Sequence, residues 1–237
     1  GSFVMQVNLV GKLVLVCITV GAHSIALGAE ASLADAAEKQ DPAAVRAALE
    51  QKADVNAAQP GGMTALHWAA YHDDSEAVKL LLAKGADVKA ANRYGVTPLS
   101  IACTNGSATI VEMLLEAGAD PNIPTETNTS PLMMAAGAAV TPDSAVSDPE
   151  IARMTQIVKL LLDLGADATA VGDFGWTALH SAAYHGWNEI IRELIAHGAK
   201  TEVMDVFGQT PLSISQAIVT EGLVNYFDTE TGERLSA

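Results

Sequence analysis

Basic side chains are the first thing this 237-residue chain lacks. Thirteen Lys and Arg stand against 28 Asp and Glu, a formal net charge of −15. No run of five basic residues breaks the pattern. An acidic surface repels a phosphate backbone, so the composition argues against a nucleic-acid partner. Cysteine is nearly missing too, with only Cys17 and Cys103. If the N-terminal stretch is removed, Cys103 is left alone, and one thiol makes no internal disulfide. Gly61-Gly62 follows no buried strand, which excludes a phosphate-cradling loop, and no serine sits in a nucleophile-elbow context. The acids form a general background without an isolated pair for acid–base work. Together these absences argue against an enzyme and against a cofactor. Aromatics make only 5% of the chain, so where its eleven rings fall is informative.

The N-terminus differs from the rest. Residues 1–29 hold no acid and one base, Lys12, followed by the apolar run Leu13-Val14-Leu15-Val16-Cys17-Ile18-Thr19-Val20 and a small-residue stretch through Ala29. A short basic region, an apolar run and a small-x-small exit describe a secretory signal peptide over residues 5–29. Gly1-Ser2-Phe3-Val4 reads as a cloning remnant ahead of a natural start at Met5. An uncleaved membrane anchor and a helix docked on the rest of the chain stay open as alternatives. The bulky Val16 and the apolar sequence beyond Cys17 speak against a lipoprotein.

What the chain has is a beat. Thr64-Ala65-Leu66-His67 returns as Thr97-Pro98-Leu99-Ser100, Ser130-Pro131-Leu132-Met133, Thr177-Ala178-Leu179-His180 and Thr210-Pro211-Leu212-Ser213, at intervals of 33, 33, 47 and 33 residues. Gly85-Ala86-Asp87, Gly118-Ala119-Asp120, Gly165-Ala166-Asp167 and Gly198-Ala199-Lys200 keep the same time. A fixed period of this length means stacked small units. Within residues 59–91, Pro60-Gly61-Gly62 signals a turn and Thr64 suits a helix N-cap, with prolines in sister units at the first helical turn. Leu66, Ala69 and Ala70 stripe a short first helix. Val78, Leu80, Leu81 and Leu82 belong to a second, apolar around most of its circumference, and Gly85 ends it. Neither helix can bury its apolar face alone.

This phrase pair resembles the signature of the ankyrin repeat, in register from about residue 32 to 213. The resemblance implies an all-α repeat solenoid of helix-turn-helix units with projecting β-turn or hairpin loops. The expected units are 30–58 (a divergent first cap), 59–91, 92–124, 125–171, 172–204 and 205–237. The fourth carries an insertion near 138–152, expected as an exposed loop because of Pro142, Pro149 and its small and acidic residues. The last has no Leu-Leu…Gly-Ala ending. Its Ile218, Val219, Leu223, Val224, Tyr226 and Phe227 either cap the stack or leave an edge for another protein.

Setting the units in register sorts structural residues from free ones. His67 and His180 hold the fourth place of the phrase, where the family's histidine bonds the loop backbone between repeats. Cys103 falls where sister units have alanine, which makes it a core residue. The outer acids Glu76, Glu112, Glu116, Asp163, Glu189 and Glu193 read as a solvated face. In an ankyrin-like stack the turn tips and the exposed side of the first helix line one concave surface. The residues there that vary between units are Met63, Tyr71, His72, Arg93, Tyr94, Val96, Thr104, Asn105, Phe174, Trp176, Tyr184, His185 and Phe207, with Glu126, Thr127, Thr129, Asp173, Val206 and Gln209 beside them. Six of the eleven rings fall on this surface. Tyr and Trp bury much area at little entropic cost, as protein interfaces need. The expectation is a non-enzymatic, monomeric module, without cofactor or metal, that binds an unidentified partner protein. The signal-like start resembles that of exported bacterial members, which implies a periplasmic location. Rival readings are a membrane-tethered scaffold and a small-ligand or metal binder using His72, His185 and nearby acids.

Overall fold

The computed structural model of the chain describes residues 32–138 and 146–220. The signal-like segment, residues 139–145 and the tail with Leu223, Val224, Tyr226 and Phe227 lie outside the described residues.

The described chain is a series of antiparallel helix pairs with no strand between them. The pairs are α1 (Leu33–Glu38) with α2 (Pro42–Glu50), α3 (Ala65–Tyr71) with α4 (Ser75–Ala83), and α5 (Pro98–Asn105) with α6 (Ala108–Glu116). Then α7 (Pro131–Met133), which runs on into a wide turn over Met134–Ala138, pairs with α8 (Asp148–Asp163), and α9 (Ala178–His185) with α10 (Asn188–Ala196). A final α11 (Pro211–Thr220) closes the described part. First helices pack on first helices from α1 to α11, and second helices pack in series from α4 to α10. This is the all-α repeat solenoid that the family resemblance implies.

The phrase explains each first helix. Thr97, Ser130 and Thr177 accept a hydrogen bond from the backbone amide three residues on, satisfying one of the free N–H groups of the first turn. The leucine of the phrase, Leu66, Leu99, Leu132 or Leu179, is essentially fully buried. Each contributes about 2 kcal/mol by leaving water. The small pairs Ala69-Ala70, Ala102-Cys103, Ala135-Ala136 and Ala182-Ala183 are also sealed off, and they let neighbouring helices approach closely. Cys103 is wholly buried, and its desolvated thiol is held far above its ordinary pKa, so it packs as a small apolar side chain. Between units, Asn122 donates to the Gly165 carbonyl (2.9 Å) and accepts from the Asp167 amide (2.8 Å), tying consecutive second-helix ends together.

The fourth unit corrects one expectation. Residues 148–152 are not loop: α8 begins at Asp148 and runs 16 residues, against nine in α4. Ser147 caps it, and Glu150 returns a carboxylate to the Ser147 amide (2.8 Å) and hydroxyl (2.7 Å). Pro149 was expected to mark a loop, but proline is equally at home in a first helical turn, where its missing N–H costs nothing. The first helix of the same unit ends at Gly137 with φ 104°, a conformation that costs side-chain-bearing residues dearly.

Candidate protein-binding surface

Between helix pairs the described chain makes five turn tips, each closed across its base by a backbone hydrogen bond. The amides of Gln59, Asn92, Thr125, Gly172 and Asp205 donate to the carbonyls of Met63, Val96, Thr129, Trp176 and Gln209, at 2.7 to 3.1 Å. Adjacent tips are then linked. The amides of Arg93, Glu126, Asp173 and Val206 donate to Gly61, Tyr94, Thr127 and Phe174 of the preceding tip, at 3.1, 3.0, 3.4 and 2.8 Å. The first residue of a tip fixes its shape: Asn92 Oδ1 accepts from the Tyr94 and Val96 amides, and Asp205 Oδ1 from those of Phe207 and Gln209. Tip spacing is tight, since a Cβ on Gly62 would lie 2.8 Å from the Asn92 Cα.

His67 and His180 lock tips to helices. The Thr64 amide donates to His67 Nδ1 (3.2 Å), and His67 Nε2–H donates to the Val96 carbonyl of the next tip (3.0 Å). His180 repeats this with the Thr177 amide (3.2 Å) and the Gln209 carbonyl (3.2 Å). Both rings are therefore neutral, with the proton on Nε2. Burial pushes both pKa values below the ordinary 6.5, against the opposing pull of the carbonyl bonds and, at His180, of Asp205. This is the role the family resemblance implied.

Held by this framework, several tip side chains project into solvent. Tyr94 is 52% exposed, Phe174 70% and Phe207 80%. Arg93 lays its guanidinium 4.8 Å from the centre of the Tyr94 ring. Tyr71 is exposed at the end of α3, Thr104 at the end of α5, and Tyr184 is half-buried on α9. Thr104 returns its hydroxyl to the Ser100 carbonyl of its own helix (3.0 Å). Met63 and Val96 are half-buried at the fifth place of their tips, and Met63 Sδ accepts from Asn92 Nδ2 at 3.4 Å.

Other residues expected on this surface have structural duties that the sequence did not reveal. His72 donates from Nε2 to the Glu38 carbonyl (2.9 Å) and accepts on Nδ1 from Gln40 (2.9 Å). Asn105 donates to the Tyr71 carbonyl (3.0 Å), and His185 Nε2 to the Gly137 carbonyl (3.1 Å). These three occupy the same place in the second, third and fifth units, and each satisfies a carbonyl at the end of the preceding first helix. Burial lowers the pKa of His185 as well, with the Gly137 bond opposing. Trp176 is only half-exposed: its ring lies 5.3 Å from that of His180, and its indole N–H donates to Ser181 (2.7 Å).

Trp68 was not among the expected residues. It is half-buried, stacks on His72 at 5.9 Å and donates to Gln59 at 2.9 Å. The signal was available: the residue after the phrase is Trp68, then Ile101, then Met134, all half-buried and apolar. A pit of about 320 Å³ lies between Tyr94 and the third tip and is lined in part by Met134. A larger cleft of about 550 Å³ lies between α2 and α4, whose pair does not pack as later second helices do.

Among the described residues no three His, Cys, Asp or Glu side chains gather in a way that could hold a metal ion. His72 and His185 lie in different units, with both ring nitrogens of His72 and Nε2 of His185 hydrogen-bonded within the protein. Among the described residues no helix is long and apolar enough to cross a membrane.

A family model described as ankyrin repeats, in three copies, matches residues 33–125 and 149–223. The chain is 27% identical over 78 residues to an ankyrin repeat-containing protein of Schizosaccharomyces pombe, which covers 32% of this chain and 38% of that one. It is 39% identical over 72 residues to the 2-5A-dependent ribonuclease of Mus musculus, covering 30% of this chain and 9% of that protein. The chain thus spans well under half the length of these relatives. The stacked helix pairs, the tip ladder and these matches agree: the chain belongs to the ankyrin-repeat family.

Proposed function

We propose that this chain is a non-catalytic binding module that holds a partner protein on the concave face formed by its tips and first-helix ends. Ankyrin repeats are general protein-interaction modules, which is the coarse warrant. One observation carries the finer reading. Tyr94, Phe174 and Phe207 are exposed while the backbone beneath them is locked tip to tip by hydrogen bonds. Rings that are both exposed and preorganised lose little entropy on binding and bury much apolar area. The partner supplies whatever chemistry the complex performs.

Replacing Tyr94, Phe174 and Phe207 together by alanine tests this. Recovery of the partner from native extract should fall at least tenfold with the melting temperature unchanged. Undiminished recovery would overturn the reading, as would a parallel fall in stability. The signal-like residues 5–29 support looking for that partner in an exported, periplasmic compartment. A mass measurement placing the N-terminus near Leu27 or Glu30 would agree, and an intact membrane-bound chain would favour the tethered alternative.

A further inference from the structure

The pit between the second and third tips lies at a break in a row of rings. At the third place of successive tips the chain carries Tyr94, Thr127, Phe174 and Phe207. The first tip has Gly61 at this place; Thr127 is the small side chain between Tyr94 and Phe174, and an opening lies beside it. The opening has a volume of about 320 Å³, floored by Met134 and Val96 and walled by Tyr94, Thr127 and Thr129. Its walls are fixed before anything binds. Thr127 Oγ1 is hydrogen-bonded to Thr125 Oγ1 (2.9 Å) and to Thr129 Oγ1 (3.1 Å), and Arg93 covers the Tyr94 ring. A pit whose hydroxyls are satisfied by one another presents an apolar interior and asks for an apolar side chain.

The charge around the opening is one-sided. Glu126 lines its rim with an exposed carboxylate, and Asp173 follows at the same place of the next tip, 2.8 Å from Asn128 Nδ2. The neighbouring cation, Arg93, is engaged with Tyr94. The net charge of −15 also steers basic surfaces toward the chain.

We infer that this pit is the anchor site for the partner, taking an aromatic or large aliphatic side chain that stands next to a lysine or arginine. The inserted side chain completes the row of rings between Tyr94 and Phe174, and the adjacent cation pairs with Glu126. The inference rests on the concave-face reading above and narrows it to one pit and one partner chemistry.

A random twelve-residue phage-display library, selected on the full chain, tests it. Enriched sequences should place a Trp, Phe or Leu beside a Lys or Arg. Synthetic peptides made from them should bind the Thr127→Phe variant at least tenfold more weakly, because a ring on the pit wall takes up space the peptide side chain needs. Their preference for the basic neighbour over a glutamate in its place should fall several-fold in Glu126→Gln. Thr127→Tyr serves as a second filling variant, with circular dichroism confirming the fold of each. Selected peptides without the apolar–basic pair, or binding unmoved by both fillings, would overturn the pit assignment. If binding survives both fillings yet is lost in the triple alanine variant, the concave-face reading stands and only the pit assignment fails. Concentration-dependent dimers that disappear in Thr127→Phe would make the occupant a second copy of the chain and would also overturn the proposal.

Discussion

His185 donates its Nε2–H to the carbonyl of Gly137, 48 positions earlier, at 3.1 Å. Trp187 stacks behind the imidazole at 4.8 Å, and the pair lies over the point where the fourth unit departs from the 33-residue period. The fifth unit thus closes the end of the irregular first helix with a bond of the kind His72 and Asn105 supply earlier in the stack.

Gly137 should therefore tolerate no side chain. A Cβ there would lie 2.6 Å from His185 Cδ2 and 2.8 Å from Trp187 Cζ3, on a backbone with φ 104°. Gly137→Ala is expected to cost about 2–4 kcal/mol from backbone strain and displacement of the two rings. Thermal melting followed by circular dichroism measures it, and an unchanged midpoint would show that the close packing is dispensable.

Stability should decline on mild acidification. His67, His180 and His185 all have folded pKa values below the ordinary 6.5, chiefly from burial. Their unfolded forms bind protons first as pH falls, so stability is complete above about 6.5 and is lost from there toward the lower folded values. A protonated His67 also loses the acceptor that takes the Thr64 amide. Urea midpoints at pH 7.5 and 5.5 give the slope. His67→Ser, the residue type of Ser100 in the next unit, should flatten it, and an unaltered slope would assign the acid sensitivity elsewhere.

Trp176 and the exposed tip rings should separate in their effects on stability. Trp176→Ala removes a half-buried indole that bonds Ser181 and packs on His180, a loss of about 1–3 kcal/mol. Phe174→Ala and Phe207→Ala strip exposed rings and should stay within about 0.5 kcal/mol of the parent. Equal losses at all three positions in denaturant titrations would mean that the tip rings also hold the stack.

The extension of α8 depends on its cap. Ser147→Ala deletes the hydroxyl of the capping box and leaves Glu150 with a weaker hold on the helix start. Amide exchange over residues 148–152 should quicken while α10 keeps its protection. The bonds from Ser147 also hold the Glu150 carboxyl below its usual pKa. Its contribution to the cap is therefore present above the ordinary carboxylate range and fades as pH falls through the lowered value. Uniform exchange across α8 and α10 in the variant would refute a local cap.

The roles of His67, His180 and Cys103 were legible in the sequence because each occupies a place that every unit repeats, with a partner set by the repeat itself. His72, Asn105 and His185 also carry structural bonds that were not legible there. Their partners, Glu38, Tyr71 and Gly137, are backbone carbonyls, and a one-letter sequence does not show which carbonyls are left open. The same holds for Trp68 and Trp176, whose indole donors find side-chain acceptors nine and five residues away through local backbone shape.

By itself the sequence determined the architecture. A 33-residue period, an N-cap and two short apolar stripes per unit leave stacking as the way to bury those stripes, and each of these signals is local. Only the tertiary structure decided which free-looking side chains are free. Exposure at a tip is a property of two neighbouring units, so Phe174 and Phe207 project while Trp176 turns inward. The pit beside Tyr94 likewise lies where Thr127 stands between two ringed neighbours, an absence that acquires a shape only when the tips are brought side by side.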